Sequence, residues 1–324
     1  MAVSLRRRSV LQIFATAALL AAAAFGAVRS TAGIQGSGLR VFEAIGPIAA
    51  VGGGGVTVGG VDYSTSGARV IIDGHPGKLD HLRAGNVVSI RGTLLQGGHL
   101  HIAAASSVTF SGNVRGAVSA VDVPSAMFFV LGQTVHVTSD TRFDPRLQPA
   151  GLQGLQNGAA VEVSGFADAA GDIVASRVSS VGGSGVARVV GSVQNLDPQQ
   201  KTFNIHSLSV SYANAVVRGT LSEGTSVAVQ GPQPAGNGAL NATQVNVATA
   251  LQAQPGALGR IEGLITDFAS GNFFEVDGQA VSVDSLTHLN VQVPLGLNVY
   301  VRVTGVFDGN GTLMARRVHS KASH

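Results

Sequence analysis

Apolar and polar residues alternate over short stretches that recur four times along the chain. The clearest stretch reads Gly-x-x-Val-x-Val-x-Gly, a turn followed by a strand with one buried face. With small departures, it begins at Gly85, Gly158, Gly224 and Asn298. Copies spaced by about 65 to 75 residues are typical of a chain built from repeats of one small β module.

Each module also contains a first strand and a hairpin upstream of this stretch. The first strand has apolar residues two positions either side of a glycine, which predicts a bulge or a sharp bend. The four glycines are Gly46, Gly116, Gly191 and Gly263. The hairpin carries apolar residues at offsets 0, 2 and 7, and Asp277-Gly278 is a strong turn signal within it. The offset-0 residues are Val56, Phe128, Phe203 and Phe274.

The third and fourth strands are separated by a less regular connection, in which leucines such as Leu79 and Leu152 could form one or two helical turns. Another hairpin then leads to a fifth strand. This layout predicts an all-β fold, a tandem array of four small OB-like five-stranded Greek-key barrels. A unit of about 70 residues buries only around 60% of its unfolded surface, so neighbouring barrels should pack together.

Domain limits are predicted from composition. Residues 1–26 read as a signal peptide and 27–43 as a Gly-rich spacer, and repeats 1 to 4 span 44–110, 111–181, 182–250 and 251–320. Arg6-Arg7-Arg8 precedes an apolar run that is too short for a membrane span, and cleavage after Ala24, Gly26 or Ala32 fits. An uncleaved anchor helix and a twin-arginine signal are the alternatives.

Net charge and the absence of cysteine exclude or disfavour several classes of function. The signal peptide holds three of the 21 basic residues, which leaves 18 basic against 18 acidic residues in the exported chain. Nucleic-acid binding needs clustered positive charge, so it is disfavoured. The absence of Cys excludes disulfides, thiolate metal sites and thiol catalysis.

The repeated residues resemble a known family. The runs 56–68 (VTVGGVDYSTSGA) and 130–135 (VLGQTV), with the repeated Gly-x-x-Val-x-Val-x-Gly, are similar to the exported bacterial repeat family called domain of unknown function 5666. The resemblance extends over 44–320 and is looser in repeat 3, where Ser207 replaces the turn glycine, and in repeat 4, where Asn298 does. It implies export and small repeated β-barrels, and it implies no activity, cofactor or catalytic residue.

Few residues suggest chemistry. His99 and His101 form the nearest approach to a metal signature, but Leu100 and Ile102 take the core positions, so we expect both histidines on the surface rather than in a metal site. Phe129 and Phe273 are candidates for stacking on a base or sugar, and packing between modules is the simpler interpretation. Asp122, Asp197 and Asp267 are expected to cap turns. Asp308-Gly309-Asn310-Gly311 is expected to form a hairpin turn rather than a calcium loop, because the remaining ligand positions and the closing Glu are missing.

These observations predict a non-catalytic, exported binding or scaffold protein of the bacterial cell envelope, without a cofactor, located in the periplasm or outside the cell. Its expected partner is an envelope protein or a glycan. The alternative is oligosaccharide or single-stranded nucleic-acid binding through the barrel faces. A hydrolase with a dispersed site is disfavoured because no acid, base or metal groups converge in the pattern.

Overall fold

The computed structural model describes residues 39–95, 102–182, 185–235, 238–248 and 253–321 of the 324-residue chain. The predicted signal peptide and most of the spacer lie outside these ranges, so export remains a prediction. In the described part, no helix has the length and apolar character needed to cross a membrane.

The described residues form β-strands joined by turns, with two short 3₁₀ helices at Leu79–His81 and Leu152–Gly154. Barrel 1 contains β1 Leu39–Gly52, β2 Gly55–Val58, β3 Val61–Ser64, β4 Arg69–Ile72, β5 His75–Pro76, β6 Val87–Leu95 and β7 Ile102–Phe110. Barrel 2 contains β8 Val114–Asp122, β9 Met127–Val130, β10 Gln133–Phe143, β11 Ala160–Ala167 and β12 Ile173–Ser180. Barrel 3 contains β13 Val186–Ser192, β14 Gln194–Asp197, β15 Thr202–Ile205, β16 Leu208–Ser211, β17 Val216–Arg218, β18 Ser226–Pro232, β19 Leu240–Asn241 and β20 Gln244–Val247. Barrel 4 contains β21 Leu258–Ser270, β22 Phe273–Val276, β23 Gln279–Ser282, β24 His288–Val291, β25 Tyr300–Phe307 and β26 Leu313–Lys321.

Each barrel closes through the same strand order. In barrel 1, β1 pairs with β2, β2 with β3, β3 with β7 in parallel, β7 with β6, and β6 with β1. Barrels 2 and 4 repeat this order, and barrel 3 does so with its first and fifth strands each broken in two. The order 1-2-3-5-4 around a closed five-stranded barrel confirms the predicted all-β, OB-like architecture.

The barrel interiors are filled by the repeated apolar positions. Phe128, Phe203 and Phe274, the predicted offset-0 residues, are at most 1% exposed. They project inward because side chains alternate between the two faces of a strand. The buried apolar residues of barrels 2 and 3 form one continuous cluster rather than two.

The strand-four glycine and the first-strand glycine have different roles. In barrel 2, the ladder between β11 and β12 shifts register between Ser164 and Gly165, so the bulge falls at the strand-four glycine. The β8–β9 ladder shifts between Val118 and Ala120, beyond Gly116. The predicted bulge at the first-strand glycine is therefore displaced. Gly116 instead makes room for Leu131, whose Cγ would lie 2.7 Å from a Cβ at that position.

The connection between the third and fourth strands adds pairing that the sequence pattern does not predict. A short segment in each barrel runs parallel to the outer half of strand five, as β4 does along β7 and β24 along β26. The fifth strand bends at the bulge, and its outer half would otherwise lack a partner on that edge. The leucine turns predicted here are present in barrels 1 and 2 as the two 3₁₀ helices, whereas the described residues of barrels 3 and 4 form no helix at this connection.

The barrels join through their first strands, and not in chain order. β1 pairs in parallel with β21, with Ile45 opposite Ile261, and so connects barrels 1 and 4. β8 pairs with β13, with Val114 opposite Val189, and so connects barrels 2 and 3. Barrels 1 and 2 contact through Ser176 Oγ, which donates to the carbonyl of Gly85. These contacts supply the neighbouring surface that a small barrel needs.

Candidate functional site

Each barrel has an equivalent pair of facing positions on its outer surface, and the two residues at these positions differ from barrel to barrel. The residue before the first-strand glycine lies directly opposite the middle residue of strand four, on the outer side of the wall. The four pairs are Ile45–Ser89, Arg115–Glu162, Val190–Ala228 and Glu262–Arg302. Because the barrels contact one another near these strands, the pairs determine the chemistry at the contacts.

The barrel 4 pair forms a buried polar group. Glu262 is 3% exposed, and its Oε1 accepts from Arg302 Nε at 2.5 Å while its Oε2 accepts from the Tyr300 hydroxyl at 2.7 Å. Burial and the charge of Glu262 raise the pKa of Tyr300, so the phenol keeps its proton and remains a donor. Both carboxylate oxygens of Glu262 are therefore occupied.

Barrels 1 and 2 close around this group. The turn at Gly59 lies so near that a Cβ there would be 2.7 Å from Glu262 Oε1, and Arg260 donates to the Gly59 carbonyl. The Phe166 ring of barrel 2 contacts the Tyr300 ring edge-on, with centroids 5.7 Å apart. Three barrels therefore meet at Glu262.

A cavity of about 330 Å³ occupies this meeting point, and we name it the junction cavity. Its charged lining residues are Asp140 and Arg142 from barrel 2, and Glu262, Arg302 and Lys321 from barrel 4. Barrel 1 contributes backbone and small side chains from the turns at Gly60 and Gly85, together with Ile48. The volume lies in the range of small-molecule sites.

The junction cavity has an excess of positive charge. Lys321 Nζ lies 2.7 Å from Asp140 Oδ2, and Arg302 is committed to Glu262. Arg142 is exposed, and within the described ranges no hydrogen bond or ion pair holds its guanidinium. Among the residues that the structure describes, the cavity wall thus offers one planar donor group without a partner, which is suited to a carboxylate or a phosphate.

The sequence candidates lie elsewhere. Phe129 on β9 is half-buried and Phe273 at the start of β22 is 45% exposed, and neither lines the junction cavity. The structure does not bring these two rings together in a common pocket, so their role in ligand stacking remains a prediction. His99 and His101 lie outside the described residues.

Two of the three predicted turn caps are present, and so is the hairpin turn predicted at Asp308. Asp122 Oδ1 accepts from the Ser125 amide, Asp197 Oδ1 from the Gln199 and Gln200 amides, and Asp308 Oδ1 from the Asn310 and Thr312 amides. Asp267 makes no such bond within the described ranges and lies opposite Glu275 across β21 and β22. The prediction for Asp267 is therefore wrong.

The junction cavity was missed because its residues do not repeat. Arg142 lies near the end of β10 and Lys321 at the end of β26, where the pattern of valines and glycines gives no weight to polar residues. The sequence does contain one signal for this site, at the residue before the first-strand glycine. Glu262 is the acidic residue at this position, and the equivalent residues are Ile45, Arg115 and Val190.

Fold and site together define a protein made of tandem OB-like barrels whose polar groups gather at the contacts between barrels. The model of the family described as "Domain of unknown function (DUF5666)" matches residues 45–101, 115–179 and 262–319. These ranges cover more than half of the chain, so the protein belongs to that family. The strands of barrel 3 lie outside the matched ranges.

Comparisons with solved structures and with curated proteins do not indicate a function. A solved chain titled "drosophila Unr CSD456" is similar at 14% sequence identity over 65% of this chain and 98% of that chain, with a TM-score of 0.16. No curated protein matches the chain.

Proposed function

We propose that the protein is an exported, non-catalytic binding protein of the bacterial cell envelope, and that the junction cavity takes a carboxylate-bearing segment of a glycan. The observation that carries the proposal is the exposed, unpaired guanidinium of Arg142 beside a cavity formed by three barrels. An arginine fork with a free face binds a carboxylate through two parallel hydrogen bonds.

The arrangement of acids in the cavity favours binding over catalysis. General acid–base catalysis needs a carboxyl group free to exchange a proton with a substrate. Glu262 uses both oxygens for Arg302 and Tyr300, and Asp140 lies against Lys321. These bonds suit a rigid wall that positions a ligand.

A glycan fits the site better than a nucleic acid does. A nucleic acid presents one phosphate per nucleotide and is held by a track of cations. Here the cations Arg302 and Lys321 are already paired, and the exported chain has balanced charge. One unpaired arginine beside hydroxyl and backbone groups matches a sugar chain with an isolated acidic group.

Titration calorimetry with a uronic-acid oligosaccharide and its neutral analogue tests the proposal. A charge-assisted hydrogen bond contributes about 1.5–3 kcal/mol, so Arg142→Gln should weaken binding roughly 10- to 100-fold. Arg218→Gln is the matched control, because Arg218 is exposed in barrel 3 and, among the described residues, its side chain bonds Asn246 alone. Equal affinity for both oligosaccharides, or equal loss in both variants, would refute the proposal.

Export has its own test. N-terminal sequencing of the protein from the periplasmic fraction should give a start after Ala24, Gly26 or Ala32. A chain that keeps Met1 and stays with the cells after osmotic shock would contradict export.

A further inference from the structure

A second polar cluster lies where barrel 2 contacts barrel 3, and none of its residues lines the junction cavity. His136 is on β10, and Asp168 and Asp172 bound the turn that joins β11 to β12. His206 comes from barrel 3, in the turn between β15 and β16. Imidazole nitrogens and carboxylate oxygens are ligands that Zn²⁺ accepts in proteins.

The contacts of Asp172 with the two histidines are longer than ordinary hydrogen bonds. His136 Nε2 lies 3.4 Å from Asp172 Oδ2, and His206 Nδ1 lies 3.9 Å from Asp172 Oδ1. Hydrogen bonds of this type usually measure about 2.7–3.2 Å. Ligand atoms at about 2.0–2.2 Å from a tetrahedral Zn²⁺ are separated by roughly 3.3–3.6 Å, close to the first of these distances.

Asp168 completes the group from barrel 2. One ligand atom from each of His136, Asp168 and Asp172 lies within 4.8 Å of the other two. Asp168 Oδ1 accepts from the amides of Ala170 and Asp172, which holds the turn. In the described part of the chain, no hydrogen bond to its second carboxylate oxygen is formed, so that oxygen is available to an ion.

Comparison with barrel 4 shows which residues the turn needs in order to form and which it does not. Asp308 makes the same two bonds to the amides of Asn310 and Thr312, so the turn needs only the aspartate at its start. Thr312 stands where barrel 2 has Asp172. The side chain of Asp172 is therefore not needed to form the turn.

The histidine on β10 is also particular to barrel 2. The equivalent position, one residue past the offset-7 core residue, is serine in the other three repeats. The four residues are Ser64, His136, Ser211 and Ser282. Because three barrels form with serine at this position, the fold of barrel 2 does not require a histidine there.

Contacts between barrels 2 and 3 place His206 beside the cluster. Ser207 Oγ donates to the Gly132 carbonyl at 2.9 Å, and the buried Gln133 donates through Nε2 to the Ile205 carbonyl at 3.0 Å. The His206 ring lies over Gly171, where a Cβ would be 2.8 Å from its Nε2. Residues either side of His206 are thus fixed to barrel 2, which positions the imidazole before any ion arrives.

We propose that His136, Asp168, Asp172 and His206 form a Zn²⁺ site that bridges barrels 2 and 3. The ion would replace the long His136–Asp172 contact with direct bonds and tie the hairpin of barrel 3 to the wall of barrel 2. The site is independent of the junction cavity and of its ligand.

Zn²⁺ titration of the purified protein, freed of metal by dialysis against a chelator, tests the site. The wild type should bind one Zn²⁺ by calorimetry, and its melting temperature should rise with Zn²⁺. His136→Ser and Asp172→Thr, which install the residues of other repeats, should each weaken binding at least tenfold and leave the metal-free melting temperature nearly unchanged. His288→Gln on β24 is the control, since His288 is exposed and lies in barrel 4.

A second measurement addresses the bridge between barrels. His206→Asn tolerates the left-handed backbone at this position, where φ is 50°. It should also weaken binding about tenfold, and Zn²⁺ should shift the ring nitrogen resonances of both His136 and His206 in the wild type. Unchanged affinity in His136→Ser or Asp172→Thr would overturn the site, and an unshifted His206 would overturn the bridge.

Discussion

Gly305→Ala should destabilise barrel 4 because the new methyl group would collide with the main chain of the neighbouring strand. A Cβ at Gly305 would lie 2.1 Å from Met314 O and 2.8 Å from Met314 C. The ladder between β25 and β26 already shifts register between Thr304 and Gly305, so strand five bends across the glycine. An ordinary contact at about 3.5 Å would require β26 to move by more than about 1 Å.

The cost follows from what has to move. Overpacking a well-filled site costs about 1–3 kcal/mol, and the upper half of that range applies here because a hydrogen-bonded backbone cannot rotate away as a side chain can. For a unit of this size, a loss of about 2–3 kcal/mol lowers the melting temperature by roughly 10–20 °C. Gly309→Ala is the matched control, since a Cβ there has no atom within 4 Å.

Calorimetry combined with hydrogen exchange is the appropriate assay, because an array of barrels need not unfold in one step. The Gly305→Ala protein should lose exchange protection in β25 and β26 while the amides of β8 to β12 keep theirs. Gly309→Ala should stay within about 0.5 kcal/mol of the wild type. Equal effects of the two substitutions on stability would show that close approach of the Met314 carbonyl does not require glycine at position 305.

Two further predictions concern charged groups. Burial, aided by the charge of Asp267, raises the pKa of Glu275 to about 7, so the folded state holds a proton and loses stability as the pH rises from about 4.5 to 7. Glu275→Gln should therefore stabilise barrel 4 by about 1–2 kcal/mol at pH 8, a figure reduced to allow for the partial exposure of Glu275. At pH 4 the same substitution should change the free energy of unfolding by almost nothing. Equal gains at both pH values in urea unfolding would contradict this prediction. Asp73→Asn removes the counter-charge of Arg188, which is 4% exposed, and should cost about 2–4 kcal/mol in the same assay. Asp140→Asn, which breaks an exposed pair, should cost less than about 1 kcal/mol, and a similar loss in both variants would contradict the buried role.

The barrels were predictable because the same physical constraint applies in each repeat. Alternate valines such as Val161 and Val163 face a core, and both are fully buried. Turn glycines such as Gly278, with φ of 77°, supply a backbone conformation that other residues rarely adopt. The position of the bulge was not predictable from the pattern, since Gly116 and Gly165 both stand inside strands and only the register shows which one bends the ladder.

The sites were not predictable because they depend on which barrels touch. Arg142 and Glu262 are 120 positions apart in the chain and line one cavity only because barrel 4 lies beside barrel 2. His206 reaches Asp172 of barrel 2, beside which His136 also lies, through the contact between barrels 2 and 3, which β8 and β13 also form. Repeats reveal the residues that build a module, and they hide those that act between modules, since each contact between barrels occurs once.

The first strands explain why polar groups gather at these contacts. A five-stranded barrel satisfies its own hydrogen bonds around the closed wall, yet β1 still pairs with β21 and β8 with β13. Side chains on the outer faces of these strands are then withdrawn from water, which favours apolar pairs such as Val190–Ala228 and hydrogen-bonded pairs such as Glu262–Arg302. Once a charged pair is enclosed in this way, its neighbours form a fixed polar wall. A chain of structurally equivalent barrels can therefore acquire distinct binding sites by changing only the few residues at its contacts.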